Sequence, residues 1–87
     1  MSKEFDSESA LAKLNESLND EDSTRFPAVL GEVAREYGMS AIAQDTELGR
    51  ESLYKSLSEG GNPSFSTVLK VVKALGFRFS ISKKQDV

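Results

Sequence analysis

The sequence predicts an all-α fold of five short helices with a single C-terminal β-strand. Three observations carry this expectation. Apolar residues recur at i, i+3, i+4 and i+7 in successive segments. Glycine, asparagine and proline clusters punctuate those segments. Alternation of apolar and polar residues, the mark of a half-buried strand, stands out only from Phe77 to Ser82.

The first helix is read from Asp6 to Leu18. Ala10, Leu11, Leu14 and Leu18 fall at helical spacing, and Asp6 or Ser7 can cap its start. The polar run Asn19-Asp20-Glu21-Asp22-Ser23 follows as a loop. In the second helix Phe26, Val29, Leu30, Val33, Ala34 and Tyr37 form one apolar stripe, and Gly38 supplies the stop. Pro27 lacks an N–H and is tolerated only in the first turn, which makes Thr24 the N-cap.

A short third helix, Met39 to Asp45, turns Ile42 and Ala43 inward. A fourth, Arg50 to Ser58, turns Leu53 and Leu57 inward, and Thr46 to Gly49 separate the two. After the break Gly60-Gly61-Asn62-Pro63, Ser66 caps a fifth helix that buries Val68, Leu69, Val72 and Leu75 and ends at Gly76. Phe77, Phe79 and Ile81 then alternate with Arg78, Ser80 and Ser82 as a strand with one apolar face. A lone strand leaves its backbone groups unpaired, so it invites pairing with another chain's sheet or with its own copy across a two-fold axis. The other reading is extended chain packed against the helices.

At 87 residues the chain has room for one small domain, 1–87. It contains neither Cys nor His, which removes disulfides, Cys/His metal sites, thiol nucleophiles and every triad with an imidazole base. A walled catalytic pocket also needs more chain than this. A non-enzyme without cofactor or metal is expected. No apolar run approaches the roughly 20 residues that span a bilayer, and the acidic start lacks the pattern of a signal peptide. A cytoplasmic location with no membrane partner follows.

The net charge of −3 is unevenly distributed. Residues 1–36 carry nine acids against four bases, and the rest of the chain carries five acids against seven bases. An acidic half and a basic half point to two surfaces, one able to face phosphates. Ordinary solvated charge is the alternative reading.

Two short amphipathic helices joined by a four-residue turn, and backed by stronger helices, have the sequence form of a helix-turn-helix. In that geometry the second helix enters the major groove while the first crosses the backbone. With Leu53 and Leu57 inward, Arg50, Glu51, Ser52 and Lys55 face the DNA, and Tyr54 is grouped with them. Arg50 can reach guanine O6 and N7, Lys55 a guanine or a phosphate, and Glu51 a cytosine amine. Ser40 and Gln44 on the preceding helix suit phosphate contacts. The alternative makes these residues the solvated face of an ordinary surface helix. The domain thus divides into an N-terminal acidic helical segment (1–22), a helix-turn-helix DNA-binding core (23–76) and a C-terminal strand and tail (77–87).

The run from Leu30 to Gly76, with LGEVAREYGMSAIAQ and then GRESLYKSLSEGGNPSFSTVLKVVKALG, resembles the prophage-type addiction-module antidote family. The likeness is carried by Gly-Met-Ser before the third helix, Arg-Glu-Ser-Leu-Tyr-Lys in the fourth, the Gly-Asn-Pro break with Phe65, and Leu-Lys-Val-Val-Lys-Ala-Leu-Gly. Phe5-Asp6 resembles the family's opening. Antitoxins of that family have a lambda-repressor-like (Xre-type) helix-turn-helix. The resemblance therefore implies the antitoxin of a type II toxin-antitoxin system, a homodimer that neutralises a RelE/ParE-like toxin and binds double-stranded operator DNA as autorepressor. The alternatives are a stand-alone phage-type repressor and a protein-interaction module that has lost operator recognition.

Three positions depart from the family. It usually has Gly where Glu47 stands and Ser where Gly49 stands. A Glu47 at positive φ bears strain on the order of 1 kcal/mol, and Gly49 is a weaker cap than Ser. Pro27 replaces a helix-compatible residue and shifts the start of the second helix.

Overall fold

The computed structural model describes residues 5–58 and 60–84. The outer ends of segments 1–22 and 77–87, and the charges of Lys3, Glu4, Glu59 and Asp86, lie outside the described residues. Five helices follow one another: α1 (Ser7–Leu18), α2 (Arg25–Tyr37), α3 (Met39–Thr46), α4 (Arg50–Ser56) and α5 (Phe65–Ala74). α2 is the central element, packing on α1, α3 and α5, while α3 also packs on α4 and α5.

Helices this short are marginal by themselves in water, so burial holds them. Leu30 and Val33 of α2, Ile42 of α3, Leu53 and Leu57 at α4, and Val71 of α5 are all fully buried. Each such side chain contributes roughly 1.5–3 kcal/mol through removal from water. Gly31 lets α2 approach the end of α4 at backbone distance, since a Cβ there would overlap the Leu57 carbonyl.

The core differs from the expected one in a few places. Met39 and Val71 are buried, and Leu69 is only half-buried. Leu11, Leu18 and Tyr37, expected inward, are exposed. α1 packs chiefly on one helix, α2, so only its narrow stripe of Ala10, Leu14 and Ser17 is covered. The buried Ser17 hydroxyl is satisfied within its own helix, donating to the Leu14 carbonyl at 2.7 Å.

The helix ends follow local chemistry. Asp6 caps α1, its Oδ1 accepting from the Ser9 N–H at 3.1 Å. Thr24 occupies the N-cap position of α2 without making a side-chain cap bond. Its hydroxyl and N–H instead donate to Asp22 Oδ1, at 2.6 and 3.0 Å, which holds the Asp22 carboxyl below the ordinary carboxylate range. Pro27 sits in the first turn of α2, as its missing N–H requires.

Ser64, not Ser66, caps α5: its Oγ accepts from the Thr67 N–H at 3.2 Å. The first serine after Pro63 already satisfies the donor, and Ser66 lies within the helix. α4 ends at Ser56, two residues short of expectation, because Gly61 folds back so closely that a Cβ would overlap the Lys55 and Ser56 carbonyls. At the far end of α5, Gly76 takes φ +90°. Its N–H donates to the Lys73 carbonyl at 2.9 Å and the Phe77 N–H to the Val72 carbonyl at 3.1 Å, a Schellman closure.

The predicted C-terminal strand does not form among the described residues. Residues 77–84 run as irregular chain, with Phe77 and Phe79 packed against the helices and 80–84 exposed. Phe79 packs edge-on against Phe26 and Phe65, with ring centroids 5.9 and 6.1 Å apart, and Phe77 lies 6.5 Å from Phe5. Ile81, the third member of the alternation, is 95% exposed. The alternation thus encodes two aromatic anchors instead of a ladder, because a strand needs a second backbone and no other described segment supplies one.

Candidate nucleic-acid interface

Glu47, Leu48 and Gly49 alone separate α3 from α4. The connection is one residue shorter than expected because Thr46 is helical. Its buried hydroxyl donates to the Ile42 carbonyl at 2.7 Å and accepts from the Leu48 N–H at 3.3 Å. One oxygen therefore ties the end of α3 to the turn. Glu47 adopts the left-handed conformation, φ 61° and ψ 23°, so the strain anticipated at this position is present. A side chain with Cβ costs about 1–2 kcal/mol there. Gly49 is extended, φ −65° and ψ 137°, and starts α4 without a side-chain cap.

With only seven residues, α4 owes its position to what lies behind it. Leu53, one turn before Leu57, is buried with it in the core. Two inward anchors at this spacing fix the helix's rotation about its axis. Arg50, Glu51, Ser52, Tyr54 and Lys55 are consequently exposed, as are Ser40 and Gln44 one turn apart on α3. All seven residues singled out from the sequence lie at the surface.

Two of them meet: the Arg50 guanidinium carbon is 5.9 Å from the centroid of the Tyr54 ring. A residue that the sequence did not single out joins them. Arg35 of α2 places its guanidinium carbon 5.7 Å from the same centroid. Its position outside the apolar stripe marks it as exposed, but nothing local indicates that α2 passes beside Tyr54. Among the described residues, carboxylates lie within 4.0 Å of Lys13 (Glu36, 3.1 Å) and Arg25 (Asp20, 3.8 Å), but not of Arg35, Arg50 or Lys55. Among the described residues, Arg35, Arg50 and Lys55 on the α4 side are thus cations without an ion-pair partner, with Glu51 the acid on the same exposed helix face. No group of three or more metal-ligating side chains occurs among the described residues.

Fold and surface together define a class: a small all-helical protein that exposes charged side chains on the outside of a short, core-anchored helix. The chain belongs to the family described as probable addiction module antidote protein, whose profile matches residues 1–83. It is similar to an uncharacterized protein of Haemophilus influenzae, 44% identical over 72 residues that span 83% of this chain and 74% of that one. Comparison with solved structures gave no significant match. An antidote implies, in general, a toxin as partner. No helix among the described residues is long and apolar enough to cross a membrane.

Proposed function

We propose that this chain is the antitoxin of a type II toxin-antitoxin pair, a cytoplasmic homodimer that neutralises a RelE/ParE-like toxin by binding and represses its own operon. It acts by binding, not by catalysis. In this reading α3, the turn and α4 work as an Xre-type helix-turn-helix on double-stranded operator DNA. The observation that carries the DNA-binding half is the outward set Arg50, Glu51, Ser52, Tyr54 and Lys55 on a helix locked from behind by Leu53 and Leu57. Arg50 would read guanine and Lys55 a guanine or phosphate, with Ser40 and Gln44 on the backbone.

The toxin-binding half is supported by charge. Glu8, Glu16, Asp20, Glu21 and Asp22 are exposed on α1 and the loop after it. A toxin that handles RNA is basic where it holds its substrate, and an acidic surface is attracted there. Because α1 contributes Ala10 and Leu14 to the core, it is a fixed platform. Reversing exposed acids, as in Glu8→Lys/Glu16→Lys, therefore probes it better than deleting the helix.

The deciding experiment is anisotropy binding to the DNA upstream of the chain's own gene. It is run at several salt concentrations, with unrelated DNA as competitor, beside Arg50→Ala/Lys55→Ala. Tight, competitor-resistant binding is expected, with log affinity falling linearly with log salt. The variant should lose about tenfold or more, since one bidentate base contact is worth about 1–3 kcal/mol. Wild-type binding no stronger than to unrelated DNA overturns the repressor reading and leaves a protein-binding module.

A further inference from the structure

Tyr54 gathers two cations from different helices. The guanidinium carbons of Arg35 on α2 and Arg50 on α4 lie 5.7 and 5.9 Å from its ring centroid. Like charges collected on one side chain repel, and a carboxylate between them would be the ordinary remedy. Among the described residues none lies within ion-pair distance of either arginine. Glu36, next to Arg35 in the chain, is instead engaged by Lys13 at 3.1 Å.

Both arginines are exposed. A guanidinium near an aromatic ring is attracted to its face and loses rotamer freedom in advance, while its in-plane N–H groups stay available to oxyanions. Two such groups on one ring suit a ligand that repeats its negative oxygens along a line, which is the chemistry of a phosphodiester backbone.

We propose that Arg35, within cation–π distance of Tyr54, is a backbone-phosphate contact that extends the DNA surface from α4 onto α2. This rests on the reading of α4 as the DNA-facing helix. Arg50 and Lys55 then supply sequence preference, and Arg35 supplies grip that is blind to sequence.

The test measures binding of wild type, Arg35→Ala, Arg35→Lys and Arg50→Ala/Lys55→Ala to the upstream DNA and to an unrelated duplex across a salt series. Circular dichroism melts establish that each variant is folded. Arg35→Ala is expected to weaken binding several-fold, by the same factor on both duplexes, and to reduce the log–log salt slope by about 0.9. Arg35→Lys should restore the slope but only part of the affinity, because an ammonium lacks the planar fork.

Unchanged affinity and slope in Arg35→Ala, with the α4 double variant still impaired, overturns the proposal and leaves the α4 reading standing. A loss confined to the upstream DNA at constant slope also overturns it, making Arg35 a positioning residue for Tyr54. A wild type without preference for the upstream DNA, but with a slope lowered by Arg35→Ala, overturns the operator reading and keeps the backbone contact. A wild type that binds no duplex overturns both.

Discussion

The two sides of α2 treat their cations differently. Towards α1 and the loop that precedes α2, Lys13 meets Glu36 at 3.1 Å and Arg25 meets Asp20 at 3.8 Å. Towards α4, Arg35 shares Tyr54 with Arg50, and no described carboxylate neutralises either. Exposed pairs of the first kind contribute only about 0–1 kcal/mol each. Their larger consequence is segregation: among the described residues, acids pair with bases on one side, and Arg35 and Arg50 have no carboxylate within 4.0 Å on the other. A net charge of −3 therefore says little about what the protein binds, because the relevant quantity is where charge is left over.

The contrast is broken most completely by removing the support beneath α4. Leu53→Ala empties a buried site behind Arg50 and Tyr54, and is expected to cost about 2–5 kcal/mol in urea denaturation. A cost below about 1 kcal/mol would mean that α4 is not anchored through this leucine.

A smaller change sharpens the contrast by altering the turn alone. Glu47→Gly relieves the left-handed backbone while leaving Arg35, Arg50 and Lys55 in place, and should stabilise the fold by about 1 kcal/mol. A lower melting temperature would show that the Glu47 side chain contributes more than its backbone conformation costs.

The smallest effect belongs to the acidic side. The Thr24 hydroxyl, followed by the Thr24 N–H, lowers the Asp22 pKa from its ordinary 3.8. A depressed folded-state pKa adds stability that is fully present above the unfolded value and is lost as pH falls through the folded one. The contribution is thus complete at neutral pH and disappears only in acid, below about 3.8. Thr24→Val removes the hydroxyl donor and should move the Asp22 carboxyl titration, followed by NMR, upward. An unchanged midpoint would discard the hydroxyl as the cause.

Much of this is legible in the sequence wherever the physics is local. The apolar stripe of α2, the stops at Gly38 and Gly76, the Asp6 cap and the outward set on α4 follow from helical periodicity and terminal chemistry. The left-handed Glu47 is legible only through the resemblance, because the family usually has Gly at this position. The capping serine of α5 is less legible, since Ser64 and Ser66 both stand near the start and only the N–H that each can reach separates them.

The alternation from Phe77 to Ile81 is ambiguous for a deeper reason. A ladder and a pair of aromatic anchors require the same pattern, and the outcome depends on whether another backbone lies alongside. The sequence by itself determined the helices, most of the inward face of α2 and the outward set on α4, but not which apolar residues of α1 and α5 would be covered. Tertiary structure alone decided that Phe79 meets Phe26 and Phe65, that Gly31 admits the Leu57 carbonyl, and that Arg35 reaches Tyr54. Those contacts join segments distant along the chain, and periodicity carries information about a helix's face but none about which neighbour that face will find.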